Sequence, residues 1–498
     1  MYDIEKLRKN FPQTSIYKDK SINAIFKAAK IESFLRDWII RKKAGPDGRI
    51  ADTEALSQYI NNVIPRMREK SSLEDAARSN GETRPFLAKI NVSFNSNANY
   101  YCFELPDLGF SYSNTIIEDY VWERVKDELL KESGGWGLIK IGYMPPEEKR
   151  KNGRFTLLEF RNFCPYTVSL DAYRRARENY DDPEEWMDIM LGAIDYCADG
   201  FKKEGRLDSD VWLAKHTMLT RLLPFIQPRV NLIELAPQQT GKSYIFGGVG
   251  KYGWLAGGGS LSRAKMFLDM RAGARTKGLV TFNDFVAIDE IKSISFTDDK
   301  EMAGIFKGYM ENGYVNVGGN RVDGEAGIIF LGNIDINDMD AGRDMFRELP
   351  DIFRDSALLQ RVHGFIPGKF IPALSSDMYM NGWALNTEYF TEIMHQLRSP
   401  AETMRYRALA EELVDVRGSD ISGREQEAVL RLCTAYLKLF FPHANKDMIH
   451  DLKFKQDFSK YCLQPAKQMQ YTVLQQLKII NPNEFGNKQL AAYSVRYE

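Results

Sequence analysis

Three short stretches place polar side chains where they could hold a phosphorylated ligand. The first is Val230 to Gly247, VNLIELAPQQTGKSYIFG, in which an apolar run gives way to Gly241-Lys242-Ser243 and then to a helical pattern. Backbone N–H groups that curl around a phosphate, a lysine that neutralises it and a hydroxyl for a divalent cation are the chemistry of the G-x-x-x-x-G-K-[ST] phosphate loop, or P-loop. The first glycine of that pattern is replaced by Ala236. Alanine can still leave a strand with negative φ, and Pro237 fixes the residue after it. Ala236, Pro237, Gln238, Gln239, Thr240 and Gly241 then form the cradle, Lys242 serves the β- and γ-phosphates, and Ser243 serves Mg²⁺.

Gly-Lys-Ser alone recurs by chance, so the order of further features decides. Forty-seven residues after Lys242 comes FVAIDE, four apolar residues and then Asp289-Glu290. Asp289 is placed to hold Mg²⁺ at a strand end, and Glu290 to orient an attacking water. The third stretch, GIIFLGN, ends in Asn333, a polar amide suited to sensing a γ-phosphate. This order resembles that of AAA+ ATPases, which implies ATP with Mg²⁺. Such enzymes take one arginine from a neighbouring subunit and a second from their own helical lid. SALLQRVHGFIPG offers Arg361 for the first role, in competition with Arg343, Arg347 and Arg354; SGREQEAV offers Arg424 for the second.

The remaining sequence must position these groups. At 498 residues the chain suggests about three domains. With a formal net charge of −1 it is not, as a whole, an electrostatic nucleic-acid binder. Residues 1–50 are an exception, with twelve Lys/Arg against six Asp/Glu, readable as a solvated helical surface or as a basic patch facing nucleic acid. The five cysteines are scattered without metal-ligand spacing, the start has no apolar leader core, and no apolar run approaches membrane-spanning length. A reduced cytoplasm and no membrane partner are therefore expected.

Residues 1–82 read as helices, with INAIFKAAKIESFLRDWII and ADTEALSQYINNVIPRM as the clearest patterns. Residues 83–205 read as an α+β domain, a possible DNA-binding collar: FLAKINVSFN, NYYCFELP, WGLIKIGYM and FTLLEFRNF alternate as strands around the helix EDYVWERVKDELLKES. Residues 206–372 carry the continuous apolar runs of an α/β core. DKEMAGIFKGYMENG places Met302, Ile305, Phe306, Tyr309 and Met310 on one helix face, with Gly313 as its stop. Beyond residue 373 strands are not expected, and residues 373–498 form the helical lid and a helical end. There SGREQEAVLRLCTAYLKLFFP begins with a Ser422–Glu425 capping box.

These stretches together resemble the BrxL family, the Lon-like AAA+ ATPases of BREX bacteriophage-defence systems. The likeness runs through NLIELAPQQTGKSYIF, GGGSLSRAKMFLDMRAGARTKGLVTFNDFVAIDE, GIIFLGNID, LLQRVHGFIPG and GREQEAVLRLCTAYLKLFFPH. It extends to FPQTSIYKDKSINAIF, LRDWII, FELPDLGF and EEWMDIMLGAIDY in the amino-terminal half. Two features depart from the family: Ala236, and a chain that ends at NKQLAAYSVRYE with no room for the Lon-protease-like domain of many members. Protease activity is therefore not expected. The resemblance implies a ring core similar to that of MCM helicases, a hexamer or double hexamer around double-stranded DNA, and other phage-defence proteins as partners.

YVNVGGNRVDGEAGIIF reads as a hairpin with Gly318-Gly319-Asn320 at its tip and Arg321 beside it, where MCM-like enzymes carry a pore hairpin. A flexible tip with one cation suits phosphate contacts that position without reading sequence. The leading reading is thus an ATP-driven ring that binds, encircles and translocates on DNA. An unfoldase is the alternative, but its pore loop normally carries an aromatic-hydrophobic pair. The matching AGGGSLSRAK carries Arg263 and Lys265 instead. A nucleotide-gated scaffold is the third reading, opposed by an intact Glu290.

Overall fold

The computed structural model describes residues 2–95, 99–129, 135–146, 152–202, 206–257, 261–269, 276–296, 298–418 and 422–497. Its centre is built from the apolar runs. Leu232–Ala236 (β1), Gly253–Ala256 (β2), Phe285–Ile288 (β3), Gly327–Asn333 (β4) and Gly364–Pro367 (β5) form one sheet in the order β5-β1-β4-β3-β2. All its neighbours are parallel. β1, β3 and all of β4 except Asn333 are buried, as parallel strands covered on both faces require. Alternate residues feed two cores. Ile233, Leu235, Val286, Ile288, Ile328 and Phe330 pack on one face; Leu232, Phe285, Ala287, Ile329 and Leu331 pack on the other.

Register fixes what meets at the strand ends. Asn333 lies opposite Ala236, and Ile288 lies opposite Phe330. The carboxyl ends of β1, β4 and β3 therefore converge, while Leu232 and Gly364 mark the other end of the sheet. The helix Lys242–Gly248 (α1) follows the P-loop, and Asp299–Asn312 (α2) precedes the hairpin. α2 buries Met302, Phe306, Tyr309 and Met310 as its spacing predicts, and stops at Gly313 with φ 76°. Two later helices, Gly423–Phe440 (α3) and Gln464–Ile480 (α4), close the far side.

Apart from the strand Ser15–Lys18 the amino-terminal region up to Ser79 is mainly helical, but the expected continuous helix over residues 22–40 is interrupted. It splits into Asn23–Ala28 and Ser33–Lys43, with Lys30 turning at φ 51° between them. The α+β part has a mixed sheet of Phe86–Lys89, Trp136–Met144, Arg154–Asn162 and Thr115–Ile116, in that order. FLAKINVSFN is not one strand: it breaks at Ile90, whose N–H turns to the Gly135 carbonyl at 2.6 Å. The remaining Asn91–Asn95 pairs with Tyr100–Glu104. The helix of this part runs from Asp119 to Leu129, and the end predicted for it, residues 130–133, lies outside the described residues.

The carboxyl-terminal part differs from the sequence reading. Strands do not vanish after residue 373: Gly382–Leu385 pairs antiparallel with Ser15–Lys18, and Val414–Arg417 pairs with Ala492–Val495. Each is only four residues long and finds its partner far along the chain, so no local pattern announces it. The capping box of α3 does not form either. Ser422 makes no side-chain cap, and Glu425 instead accepts from the Ala491 N–H and the Tyr493 hydroxyl, both at 2.9 Å. Helices Leu170–Glu178 and Pro183–Ala193, grouped above with residues 83–205, share the apolar core that covers one face of the central sheet.

A buried polar network ties the amino-terminal helices to α1. Lys18 Nζ lies 2.8 Å from Asp195 Oδ1 and 3.1 Å from Asp37 Oδ2, and Arg36 bridges the same two carboxylates. Tyr244, on α1, donates its hydroxyl to Asp195 and meets the Ser33 hydroxyl at 2.6 Å. Burial pushes the Asp195 carboxyl up, but Arg36 and Lys18 outweigh it and hold it below the usual carboxylate range. A depressed carboxylate stabilises the fold above the unfolded-state pKa of about 3.9 and loses that contribution as pH falls further. Asp195→Asn should therefore cost about 3–5 kcal/mol at pH 7, because it leaves buried cations uncompensated. In denaturant titrations the gap from wild type should persist down to about pH 4 and narrow below it.

Candidate nucleotide site

The P-loop is shaped from below by an ion pair that the sequence reading missed. Glu234, in the middle of β1, and Arg221, at the end of the helix Asp208–Thr220, are both fully buried. Arg221 Nε donates to the two Glu234 oxygens at 3.0 and 3.2 Å, and Nη1 donates to the Thr240 carbonyl at 2.6 Å. The turn of the loop is thus hung from a charge that cannot reach water. A glutamate inside the run VNLIEL was the only signal.

Ala236 is the last residue of β1, and the left-handed backbone of the loop falls on Gln239 (φ 63°) and Gly241 (φ 79°). Glycine at 241 is also required by space, since a Cβ there would lie 2.5 Å from the Tyr196 hydroxyl. The methyl of Ala236 is accommodated because its neighbour beyond β5 is Gly368, where an added Cβ would approach it to 2.3 Å. The departure at the first glycine is therefore met by a glycine just past the end of the adjacent strand.

Lys242 opens α1 and is buried. Its ammonium donates to the carbonyls of Ala236 and Pro237 at 3.2 and 3.1 Å and to Asn333 Oδ1 at 2.9 Å. Burial holds it below its ordinary pKa, with Glu234 opposing that shift and Arg221 adding to it. Ser243 Oγ donates to Asp289 Oδ2 at 2.5 Å. The Asp289 N–H is anchored to the Ala256 carbonyl at 2.8 Å. Glu290 follows at φ 53°, exposed, with its N–H on Asp289 Oδ1 at 2.9 Å. A left-handed glutamate costs about 1–3 kcal/mol and turns the second carboxylate away from the strand line. Lys242 thus meets Asn333 while the adjacent Ser243 meets Asp289, and Glu290 follows Asp289. The Ser243 hydroxyl and Asp289 carboxylate are hard oxygen donors side by side, a fit for Mg²⁺.

The arginines lie elsewhere. Arg361 precedes β5, and its Nε is 2.9 Å from Glu311 Oε2 at the end of α2. Arg424, at the start of α3, donates to the same carboxylate at 3.0 and 3.1 Å and to Gln360 Oε1 at 3.1 Å. Both therefore sit at the amino-terminal end of the sheet, and the length of β1, roughly 13 Å, separates that end from Lys242. Arg424, expected as a lid arginine over its own nucleotide, is placed where α3 starts beside α2 and not beside the P-loop. Arg361, expected to serve a neighbour, is not brought to its own site. Of its competitors, Arg347 pairs with Asp338 and Arg354 with Asp344, each at 2.9 Å, and Arg343 bonds the Asn337 carbonyl.

The hairpin forms as Tyr314–Val317 and Asn320–Asp323, with Gly318 and Gly319 both at positive φ in its two-residue turn. Asn320 is therefore the first residue of the return strand. Arg321 lies over the Tyr314 ring at 3.9 Å and pairs with Asp323 at 2.7 Å. Arg263 pairs with Glu301 at 2.5 Å, and Lys265 is exposed near Trp254. Residues 258–260 of AGGGSLSRAK lie outside the described residues.

Residues 155–491 match the family model described as the ATPase domain of Lon-like protease BrxL-like proteins, and residues 9–143 match that of the BREX system Lon protease-like protein BrxL N-terminal region. The chain belongs to the BrxL family. Proteins named Lon-like protease BrxL from Escherichia coli O9:H4 (strain HS) and Bacillus cereus (strain H3081.97) are each 25% identical to it, over 97% and 88% of this chain. The chain spans 66% and 62% of the lengths of those relatives. The BrxL ATPase match contains all of Lys242, Ser243, Asp289, Glu290, Asn333, Arg361 and Arg424. Its boundary with the BrxL N-terminal match passes through a sheet, since Arg154–Asn162 pairs with Trp136–Met144 across it.

Lys242→Ala should weaken ATP binding by about 1.5–3 kcal/mol, roughly ten- to a hundredfold in Kd. Glu290→Gln should leave Kd near wild type and slow hydrolysis by about 10²–10⁴-fold. Nucleotide titration and phosphate release in one buffer separate the two. Wild-type turnover by Glu290→Gln would remove FVAIDE from the catalytic assignment.

Proposed function

We propose that this chain is the AAA+ ATPase of a BREX-type anti-bacteriophage system, a ring-forming motor that couples ATP hydrolysis between copies to gripping and moving along double-stranded DNA. The observation that supports its ATPase core is the meeting of Lys242 with Asn333 and of Ser243 with Asp289. It occurs at the carboxyl end of a sheet in which β4 separates the P-loop strand from the Asp-Glu strand. That insertion gives one amide, Asn333, a position against the phosphate-binding lysine, which is what a γ-phosphate sensor needs.

In this reading the Lys242 ammonium exchanges its carbonyl partners for phosphate oxygens when ATP binds. The N–H groups from Gln238 to Ser243 cradle the β-phosphate. Mg²⁺, held through Ser243 and Asp289, supplies neutralisation of the β- and γ-phosphate charge. Glu290 accepts a proton from the attacking water, and Asn333 orients that water or the γ-phosphate. Arg361 and Arg424 of the same chain do not reach the charge that develops on the transferred group. Arg361 from a neighbouring copy stabilises that charge, and Arg424, lying on the same carboxylate, joins it in trans. The site is then complete only between copies, consistent with a hexamer or double hexamer.

The hairpin bearing Asn320 and Arg321, together with Arg263 and Lys265, is the proposed DNA contact. The pairs Arg321–Asp323 and Arg263–Glu301 are solvent-exposed, and exposed pairs contribute only about 0–1 kcal/mol. A phosphate can displace such partners.

Mixing tests the shared site. Arg361→Ala and Lys242→Ala should each abolish ATPase activity alone, and an equimolar mixture should recover a fraction of it, because some interfaces then join an intact P-loop to an intact arginine. A dead mixture beside a wild type that hydrolyses ATP as a monomer would defeat the reading. DNA affinity should fall steeply with salt and depend little on sequence, and Arg321→Ala should reduce the salt slope by about one unit. Filter binding from 50 to 200 mM salt measures both; sequence preference that survives the higher salt would argue for base readout instead.

A further inference from the structure

Two guanidinium groups from distant elements converge on one carboxylate. Arg361 belongs to the turn before β5, Arg424 to the first turn of α3, and Glu311 to the last turn of α2. Arg424 uses both Glu311 oxygens, at 3.0 and 3.1 Å, and its Nη1 takes Gln360 Oε1 at 3.1 Å. Arg361 is held by the Ala357 carbonyl through Nη1. Its Nε lies 2.9 Å from Glu311, yet the N–H makes no hydrogen bond among the described residues.

Among the described residues the charges do not balance locally. The next acid, Asp355, is committed to Lys307 at 2.8 Å and to the N–H groups of Ala357 and Leu358. Glu484 accepts from the neutral amides of Gln360 and Asn481, and Glu425 from the Ala491 N–H and the Tyr493 hydroxyl. One shared carboxylate therefore faces two cations. Burial and the repulsion from Arg424 both hold the Arg361 guanidinium below its ordinary pKa, with Glu311 and Asp355 opposing. Such a pair has capacity for one more anion, and its position at the amino-terminal end of the sheet keeps it from the phosphates of its own P-loop.

We infer that Glu311 is a positioning residue that holds Arg361 and Arg424 side by side as one unit for the γ-phosphate of ATP bound to a neighbouring copy. This rests on the shared-site reading above. Removing the carboxylate leaves two like charges without a common partner, so they separate and each approaches the phosphate from the wrong direction. Small displacements of a charge-stabilising group cost about tenfold or more in rate.

Donor and acceptor mixing of the full chain tests this directly. Acceptor copies carry Arg361→Ala and Arg424→Ala and keep their P-loop. Donor copies carry Lys242→Ala and supply only arginines. Donors with an otherwise intact pair should restore ATPase activity, whereas donors that also carry Glu311→Gln should restore roughly tenfold less, through kcat with the KM for ATP little changed. Glu311→Gln placed in the acceptor instead should have no such effect, which excludes a general folding defect. Equal restoration by the two donors overturns the role of Glu311 and leaves the shared site standing. No restoration by any donor, with Arg361→Ala alone as active as wild type, overturns the shared site and this inference together.

Discussion

Glu234 sits in the middle of a strand buried on both faces, and its carboxylate has no path to water. A charge in that position persists only if a cation is brought to it inside the protein, because removing one partner of such a pair costs about 3–5 kcal/mol. Arg221 meets it from the end of a helix and spends a second nitrogen on the Thr240 carbonyl. The strand, the helix before it and the turn of the P-loop are thereby one mechanical piece. The same field reaches Lys242, whose ammonium is disfavoured by burial and by Arg221 and favoured by Glu234. The pair thus shapes the loop, while its two charges act on the lysine in opposite directions.

The sequence made legible what depends on local pattern and on chain order. The three strands that end in Ala236, Ile288 and Asn333 are continuous apolar runs, α2 has helical spacing up to a glycine, and a Gly-Gly pair closes the hairpin. Each is specified by its own residues. What escaped is specified from a distance. Arg221 and Asp195 look like any charged residue until burial is known. Gly382–Leu385 is a strand only because Ser15–Lys18 lies beside it. The capping pattern at Ser422 was present, but the Tyr493 hydroxyl and the Ala491 N–H competed for Glu425 and won. The position of Arg424 follows from where α3 starts relative to α2, a tertiary fact that no spacing encodes.

The parallel sheet also explains why one subunit has two chemically different ends. Carboxyl ends of strands collect the lysine, the hydroxyl, the carboxylates and the amide. Amino ends collect Arg361, Arg424 and Glu311. The register of β1 with β5 sets Arg361 apart from the P-loop by the length of a strand. The separation is geometric, and it does not depend on any flexible element.

The pairing of Ser15–Lys18 with Gly382–Leu385 has a kinetic side. The two strands are about 370 residues apart in the chain. At the usual pace of roughly 5–20 residues per second, the first strand leaves the ribosome on the order of twenty to seventy seconds before its partner exists. During that interval Ser15–Lys18 has no ladder partner, and Lys18 and Asp37 lack the Thr387 hydroxyl that joins them in the finished fold. Completion of this strand pair is therefore a late event in the life of the nascent chain.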